Sequence, residues 1–119
     1  NNINASKAIQ IHCECDEAIP RFDKIKELML YRIIQELINN SLKHAQAKNL
    51  YLSVQYPEKK SIFFSYKDDG KGFNLEKTEK NKGLGLKNME SRSDILGGKA
   101  KFTSKENEGV QFEVEFLMD

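Results

Sequence analysis

The chain has 119 residues, 39% hydrophobic and 31% charged, with a formal net charge of +1. That is the mix of one ordinary globular domain, long enough for a single core and neither disordered nor large enough for two. Near neutrality gives no basis for broad electrostatic binding to nucleic acid, and no apolar run approaches the roughly 20 residues that cross a bilayer.

Residues 9–15 alternate apolar and polar, which predicts a first strand. Its Cys13 and Cys15 are the two cysteines of the chain. Two apart on a strand, they point to one side with Ile9 and Ile11, and so read as core thiols of a protein from a reducing compartment, the cytoplasm. A metal site would need further soft ligands close in sequence, and the sequence offers none. Pro20 breaks the chain, and Asp23 caps a long helix expected to run to about Ala45. Residues 50–56 and 61–68 alternate again across a turn at 57–60, a hairpin pattern. Residues 73–82 are polar, lysine-rich and without period, as in a mobile loop. A second helix is expected over 84–96, stopped by Gly97-Gly98. Residues 99–104 and 110–117 close a second hairpin, in which Gly109 reads as a turn glycine. Such an order predicts an α/β two-layer sandwich: a mixed, mostly antiparallel sheet of about five strands, covered on one face by two to three helices. Residues 1–119 read as a single domain, and a chain opening at Asn1 reads as a piece of a larger protein.

On a helical wheel over residues 28–45, Leu30, Ile34, Leu37, Ile38, Ser41 and Ala45 gather on one side, which should face the sheet. Glu36, Asn40 and Lys43 form a stripe on the other, four and three residues apart. A solvated face with a helical ion pair is one reading of that stripe. Met29 and Ile33 flank it, however, and an apolar flank places the polar residues beside a cleft. There, the neutral amide oxygen of Asn40 suits magnesium, which takes oxygen ligands and keeps several waters. Glu36 could act as a base one turn earlier. Lys43 brings positive charge to phosphates one turn later. His44 touches phosphate or ribose, or simply packs.

On the strand over 61–68, Ile62, Phe64, Tyr66 and Asp68 share a face, so Asp68 ends an apolar side. A carboxylate there needs a donor, and an adenine amino group is a suitable one. Gly70 and Gly72 then let the backbone turn close to a flat base, although Asp-Gly also marks plain surface turns. Gly83 and Gly85 precede a helix, where free amides favour anions. Lys77, Lys80 and Lys82 read as a solvated loop with no assigned role. The pattern Gly-x-x-x-x-Gly-Lys-Ser/Thr does not occur, so any ATP site is not a P-loop.

Taken together, Glu36-x-x-x-Asn40 with Lys43-His44-Ala45, Asp68-x-Gly70-x-Gly72 and Gly83-x-Gly85 resemble the N, G1 and G2 boxes of the Bergerat ATPase fold. That fold is shared by sensor histidine kinases, type II topoisomerases, ninety-kilodalton heat-shock chaperones and mismatch-repair ATPases. The run Asp68-Asp69-Gly70-Lys71-Gly72-Phe73 and the run from Gly83 to Met89 with Arg92 are most similar to kinases paired with helix-turn-helix response regulators. The resemblance covers nearly the whole chain. It implies ATP and Mg2+ as ligands, with Asn40 on magnesium and Asp68 on the adenine amino group. By the same likeness Gly70, Gly72, Gly83, Leu84, Gly85 and Leu86 shape the pocket, Glu36 assists attack on the γ-phosphate, and Lys43 and His44 meet the phosphates. It also implies a separate helical dimerisation domain carrying the phosphate-accepting histidine, a downstream response regulator, and a homodimeric parent that can be membrane-bound. Neither His12, on a strand, nor His44, inside the nucleotide helix, suits the acceptor role. An anti-sigma-factor-type serine kinase and a nucleotide-binding interaction module without chemistry are the alternatives.

Overall fold

The computed structural model describes residues 9–42, 47–57, 60–71, 86–105 and 109–118, with the backbone alone at 86, 87 and 105. Five strands, β1 (Gln10–Cys15), β2 (Asn49–Gln55), β3 (Ser61–Asp68), β4 (Lys99–Lys105) and β5 (Gly109–Leu117), and two helices, α1 (Lys24–Asn40) and α2 (Leu86–Leu96), are described. The strands form one sheet in the order β1-β2-β3-β5-β4. β1 runs parallel to β2, while β2/β3, β3/β5 and β4/β5 are antiparallel. Both expected hairpins are present, and the parallel β1/β2 pair makes the sheet mixed. The last strand lies inside the sheet and brings Val110 beside the end of β3.

Period-two alternation sets the faces. Ile62, Phe64, Tyr66 and Asp68 of β3 are buried with Leu50 and Leu52 of β2 and Val110, Phe112, Val114 and Phe116 of β5. They share one core with Leu30, Ile33 and Leu37 of α1 and Met89 and Leu96 of α2. On the opposite face Tyr51, Lys67, Gln111 and Glu115 are exposed. The arrangement is the two-layer α/β sandwich.

Asp23 caps α1 by accepting the Lys26 amide at 3.0 Å, satisfying one of the donors a helix start leaves open. The same turn is tied to the end of β5: the Asp23 amide donates to the Met118 carbonyl at 3.2 Å and Lys26 Nζ to the Leu117 carbonyl at 3.0 Å. Glu27 accepts Arg21 Nε at 2.8 Å, Arg21 Nη2 at 2.7 Å and the Phe22 amide at 3.1 Å. The paired guanidinium, then that amide, hold the Glu27 carboxyl at about 2, against an ordinary 4.5. A lowered carboxylate pKa contributes stability above the ordinary value and loses it as pH falls through the folded one. We therefore expect the melting temperature to fall more steeply between about pH 4.5 and 2 in the parent than in Glu27→Gln. Parallel curves would contradict this. Arg21 is 87% exposed, so the difference should be small and should shrink with added salt.

Two expectations are corrected. Cys13 and Cys15 are exposed, not core thiols, because β1 is an edge strand with all six residues open to solvent. The buried arc of α1 comprises Leu30, Ile33, Leu37 and Asn40, so it is rotated from the expected one toward Ile33 and Asn40. Ile34 and Ile38 are only half-buried. α1 packs on α2 and shares one core with the sheet, so its buried arc answers to two neighbours and not to the sheet alone. The described part of α1 ends before 43–46, and the loop expected over 73–82 lies outside the described residues.

Candidate functional site

Asp68 is 0% exposed at the inward end of β3. Leaving such a carboxylate without donors would cost several kcal/mol, and the fold supplies three. Its Oδ1 accepts the Gly70 amide and the Val110 amide, each at 3.0 Å, and its Oδ2 accepts the Ser41 hydroxyl at 2.5 Å. Each link has a sequence cause. The turn after Asp69 folds back on its own preceding side chain, the neighbouring strand β5 offers its second amide, and α1 delivers Ser41 one residue beyond its last turn.

Ser41 is held in turn. It contacts the Tyr66 hydroxyl, and Tyr66 Oη donates to the Leu37 carbonyl at 3.1 Å. Burial raises the Tyr66 pKa, helped by the Asp68 charge and opposed by the Ser41 hydrogen bond, so the phenol keeps its proton and remains a donor. The end of α1 and the end of β3 are thus joined through Leu37, Tyr66, Ser41 and Asp68. The sequence placed Ser41 only on the sheet face of α1 and gave Tyr66 only the role of an inward aromatic. Their hydroxyls standing on one buried face with Asp68 were the signal that could have joined them.

Asp69, next in sequence, points outward and closes the turn. Its Oδ1 accepts the Lys48 and Asn49 amides at 2.8 and 2.9 Å, and its Oδ2 accepts Asn49 Nδ2 at 2.8 Å. Those bonds, led by the Asn49 side chain, hold the Asp69 carboxyl below its usual range. His12 Nε2 donates to Asn49 Oδ1 at 2.9 Å, and the His12 ring stacks on Tyr51 with centroids 4.8 Å apart. His12 is therefore a surface side chain of the outer sheet face.

Gly109 approaches the site most closely. Its φ is +81°, and an added Cβ would overlap the Asp68 carbonyl oxygen and stand 3.2 Å from Asp68 Oδ1. The position is more than a hairpin turn, because it makes room for the acidic side chain.

Of the residues singled out in the sequence, Asp68, Gly70, Asn40 and Glu36 lie among the described ones. Asn40 is 7% exposed at the end of α1, one residue from Ser41, and Glu36 is half-buried one turn earlier. Lys43, His44, Gly72, Gly83, Leu84 and Gly85 lie outside the described residues, and Leu86 is described by its backbone alone.

The chemistry of Asp68 and Asn40 is compatible with a purine amino group and with magnesium. Among the described residues Oδ2 of Asp68 has Ser41 as its one donor, and a carboxylate oxygen can accept a second. The described residues hold no group of three or more His, Cys, Asp or Glu able to cage a metal. One amide oxygen at Asn40 instead fits a cation that draws its remaining ligands from phosphate and water.

Residues 25–119 match the family of histidine kinase-, DNA gyrase B- and HSP90-like ATPases. The chain is 36% identical over 94 residues to the sensor histidine kinase ComP of Bacillus subtilis, covering 78% of this chain and 12% of that one. It is 35% identical over 105 residues to the signal transduction histidine-protein kinase/phosphatase DegS of the same organism, covering 82% and 26%. To the oxygen sensor histidine kinase NreB of Staphylococcus carnosus it is 32% identical over 102 residues, covering 86% and 29%. The chain thus spans less than a third of each of these relatives. The histidine kinase domain of the Erythrobacter litoralis EL346 blue-light activated kinase superposes with a TM-score of 0.75 at 19% identity, covering 93% of this chain and 52% of that one. The Acinetobacter baumannii histidine kinase AdeS gives 0.74 at 16%, covering 96% and 56%. Both show the same fold. The chain belongs to the histidine kinase-, DNA gyrase B- and HSP90-like ATPase family, as an ATP-binding catalytic domain of the sensor histidine kinase kind.

Proposed function

We propose that this chain, taken as one domain over residues 1–119, positions the γ-phosphate of ATP for transfer to a histidine on a separate helical dimerisation domain of a homodimeric kinase. From that histidine the phosphate passes to a response regulator. The observation that carries the reading is the buried carboxylate of Asp68, fixed by three donors and keeping acceptor capacity on Oδ2 for the adenine amino group. One structural neighbour, ShkA, was solved in complex with AMPPNP, which supports a triphosphate in this fold. A cytoplasmic location belongs to the same proposal, supported by the need for ATP. No helix among the described residues is long and apolar enough to cross a membrane.

Magnesium, when bound, neutralises phosphate charge and so favours transfer. The rest falls to the chain's own side chains. Asn40 offers its amide oxygen to the cation, and Asp68 orients the purine. Gly70, Gly72, Gly83, Leu84, Gly85 and Leu86 shape the walls. Glu36, one turn from Asn40, polarises the incoming nucleophile, while Lys43 and His44 meet the phosphates. Most of the rate gain would come from positioning two separately bound reactants.

The alternatives are an anti-sigma-factor-type serine kinase and a nucleotide-binding module without chemistry. Incubating the chain with labelled ATP, magnesium and either a histidine-bearing helical hairpin or a serine-bearing antagonist separates them. We expect acid-labile label on the hairpin, and Asn40→Asp should lower that transfer at least ~10-fold by changing a neutral magnesium ligand into a charged one. Acid-stable label on serine, or none on either protein, would overturn the reading.

A further inference from the structure

The thiols of Cys13 and Cys15 stand outside the nucleotide site and have no part in the function proposed above. Both are exposed, and their sulfurs lie 3.6 Å apart on one side of β1. They border an open groove of about 640 Å³ whose lining also includes Val54, Tyr56 and Pro57. β1 is hydrogen-bonded to β2 in register from Gln10 to Cys15, so the spacing of the two Cα atoms is fixed by a strand and not by a loop, and χ1 rotation brings the sulfurs together.

That spacing selects among the things two thiols can do. A rise of about 3.3 Å per residue sets the two Cα atoms, and the parallel Cβ atoms, about 6.6 Å apart. A disulfide needs Cβ atoms about 3.5–4.5 Å apart, so forming one would bend β1 off its partner strand. A tetrahedral metal needs four ligands, and the described residues hold no group of three or more His, Cys, Asp or Glu placed to hold a metal ion. A linear ion with bonds of about 2.3 Å would hold the sulfurs about 4.6 Å apart. A pyramidal centre, with its bonds bent to one side, brings the sulfurs closer than a linear ion does and suits the 3.6 Å observed.

We propose that Cys13 and Cys15 form a dithiol site for a monosubstituted trivalent arsenical, R–As(OH)2, bridged by both sulfurs on the free edge of the sheet. Arsenic takes three bonds; the chain supplies two sulfurs, and the ligand brings the third substituent. Two As–S bonds form and two As–O bonds break. Each thiol proton leaves on a hydroxide as water, and no atom changes oxidation state. Glu14, Asp16 and Glu17 adjoin the pair and favour a neutral ligand over an anionic one.

The test uses the reduced 119-residue chain and phenylarsine oxide, with mass spectrometry as the readout, so it is independent of whether the chain binds nucleotide. We expect one adduct per chain that survives a large excess of a monothiol and is removed by a dithiol. Joining two thiols on one strand should strengthen retention about 10²–10⁴-fold over a single sulfur, so Cys13→Ser and Cys15→Ser should each lose that factor. Both positions are exposed, so the variants should melt with the parent. Two adducts on the parent, no adduct, equal retention by the single variants, or loss of the site through an intramolecular disulfide would each overturn the proposal.

Discussion

Asp68→Asn is expected to keep the fold and lose ATP. An asparagine can place its carbonyl oxygen where Oδ1 accepts the Gly70 and Val110 amides. Its NH2 then takes the place of Oδ2, and Ser41, a rotor able to donate or accept, turns to receive it. Folding should therefore suffer by only about 1 kcal/mol. Binding is different, because the adenine amino group is a donor and would now meet a donor. Loss of a charge-assisted hydrogen bond, about 1.5–3 kcal/mol, adds to that mismatch, which puts the affinity loss at roughly 100-fold or more. Calorimetric titration of parent and variant measures it. Inosine triphosphate sharpens the test, since its 6-oxo group is an acceptor: the parent should prefer ATP strongly, and the variant should lose or reverse that preference. An unchanged ATP affinity would remove Asp68 from the pocket.

Gly109→Val carries the largest expected effect on stability. The residue has φ +81°, and its Cβ would overlap the Asp68 carbonyl oxygen. The left-handed backbone alone costs a residue with a side chain about 1–2 kcal/mol. The overlap lies against strand backbone, which cannot step aside without breaking the β3/β5 pairing, so a total above ~3 kcal/mol is expected. Small domains hold only about 5–15 kcal/mol, and the melting temperature should fall by more than ~10 °C. Gly97→Ala is the matched control. Gly97 ends α2 at φ +78° with nothing within 4 Å of an added Cβ, and it should cost only the backbone term. Denaturant curves for both variants read the difference directly; equal losses would show that the approach to Asp68 is not the constraint.

The elements were legible in the sequence because their patterns are local. Alternation in 61–68 placed Asp68 with Ile62, Phe64 and Tyr66 on the buried face, and the structure has it there. Asp23 and Gly97 marked a helix start and a helix stop by capping chemistry alone. What failed depended on distant neighbours. Cys13 and Cys15 have the right parity for a core, but parity cannot tell an edge strand from a central one, and β1 is at the edge. Asn40 was read as the polar side of α1, yet it is buried. A helical wheel assumes a single buried face and cannot foresee a second.

Around Asp68 the sequence supplied the acid and its adjoining glycine but not the donors. Ser41 and Val110 lie 27 and 42 residues away along the chain. Only the order of strands, with β5 beside β3, brings the Val110 amide to Oδ1. Nor did Gly109 differ from any hairpin glycine until the end of β3 was placed against it. Long-range pairing sets an ordinary turn residue against Asp68, and no pattern within a single segment records that.

The most direct measurement is a crystal structure of the chain with AMPPNP and magnesium. We expect the purine amino nitrogen about 3 Å from Asp68 Oδ2, with the Asn40 amide oxygen on the cation. A base seated elsewhere, or bound with Asp68 still closed off from it, would contradict the assignment of Asp68 to the purine.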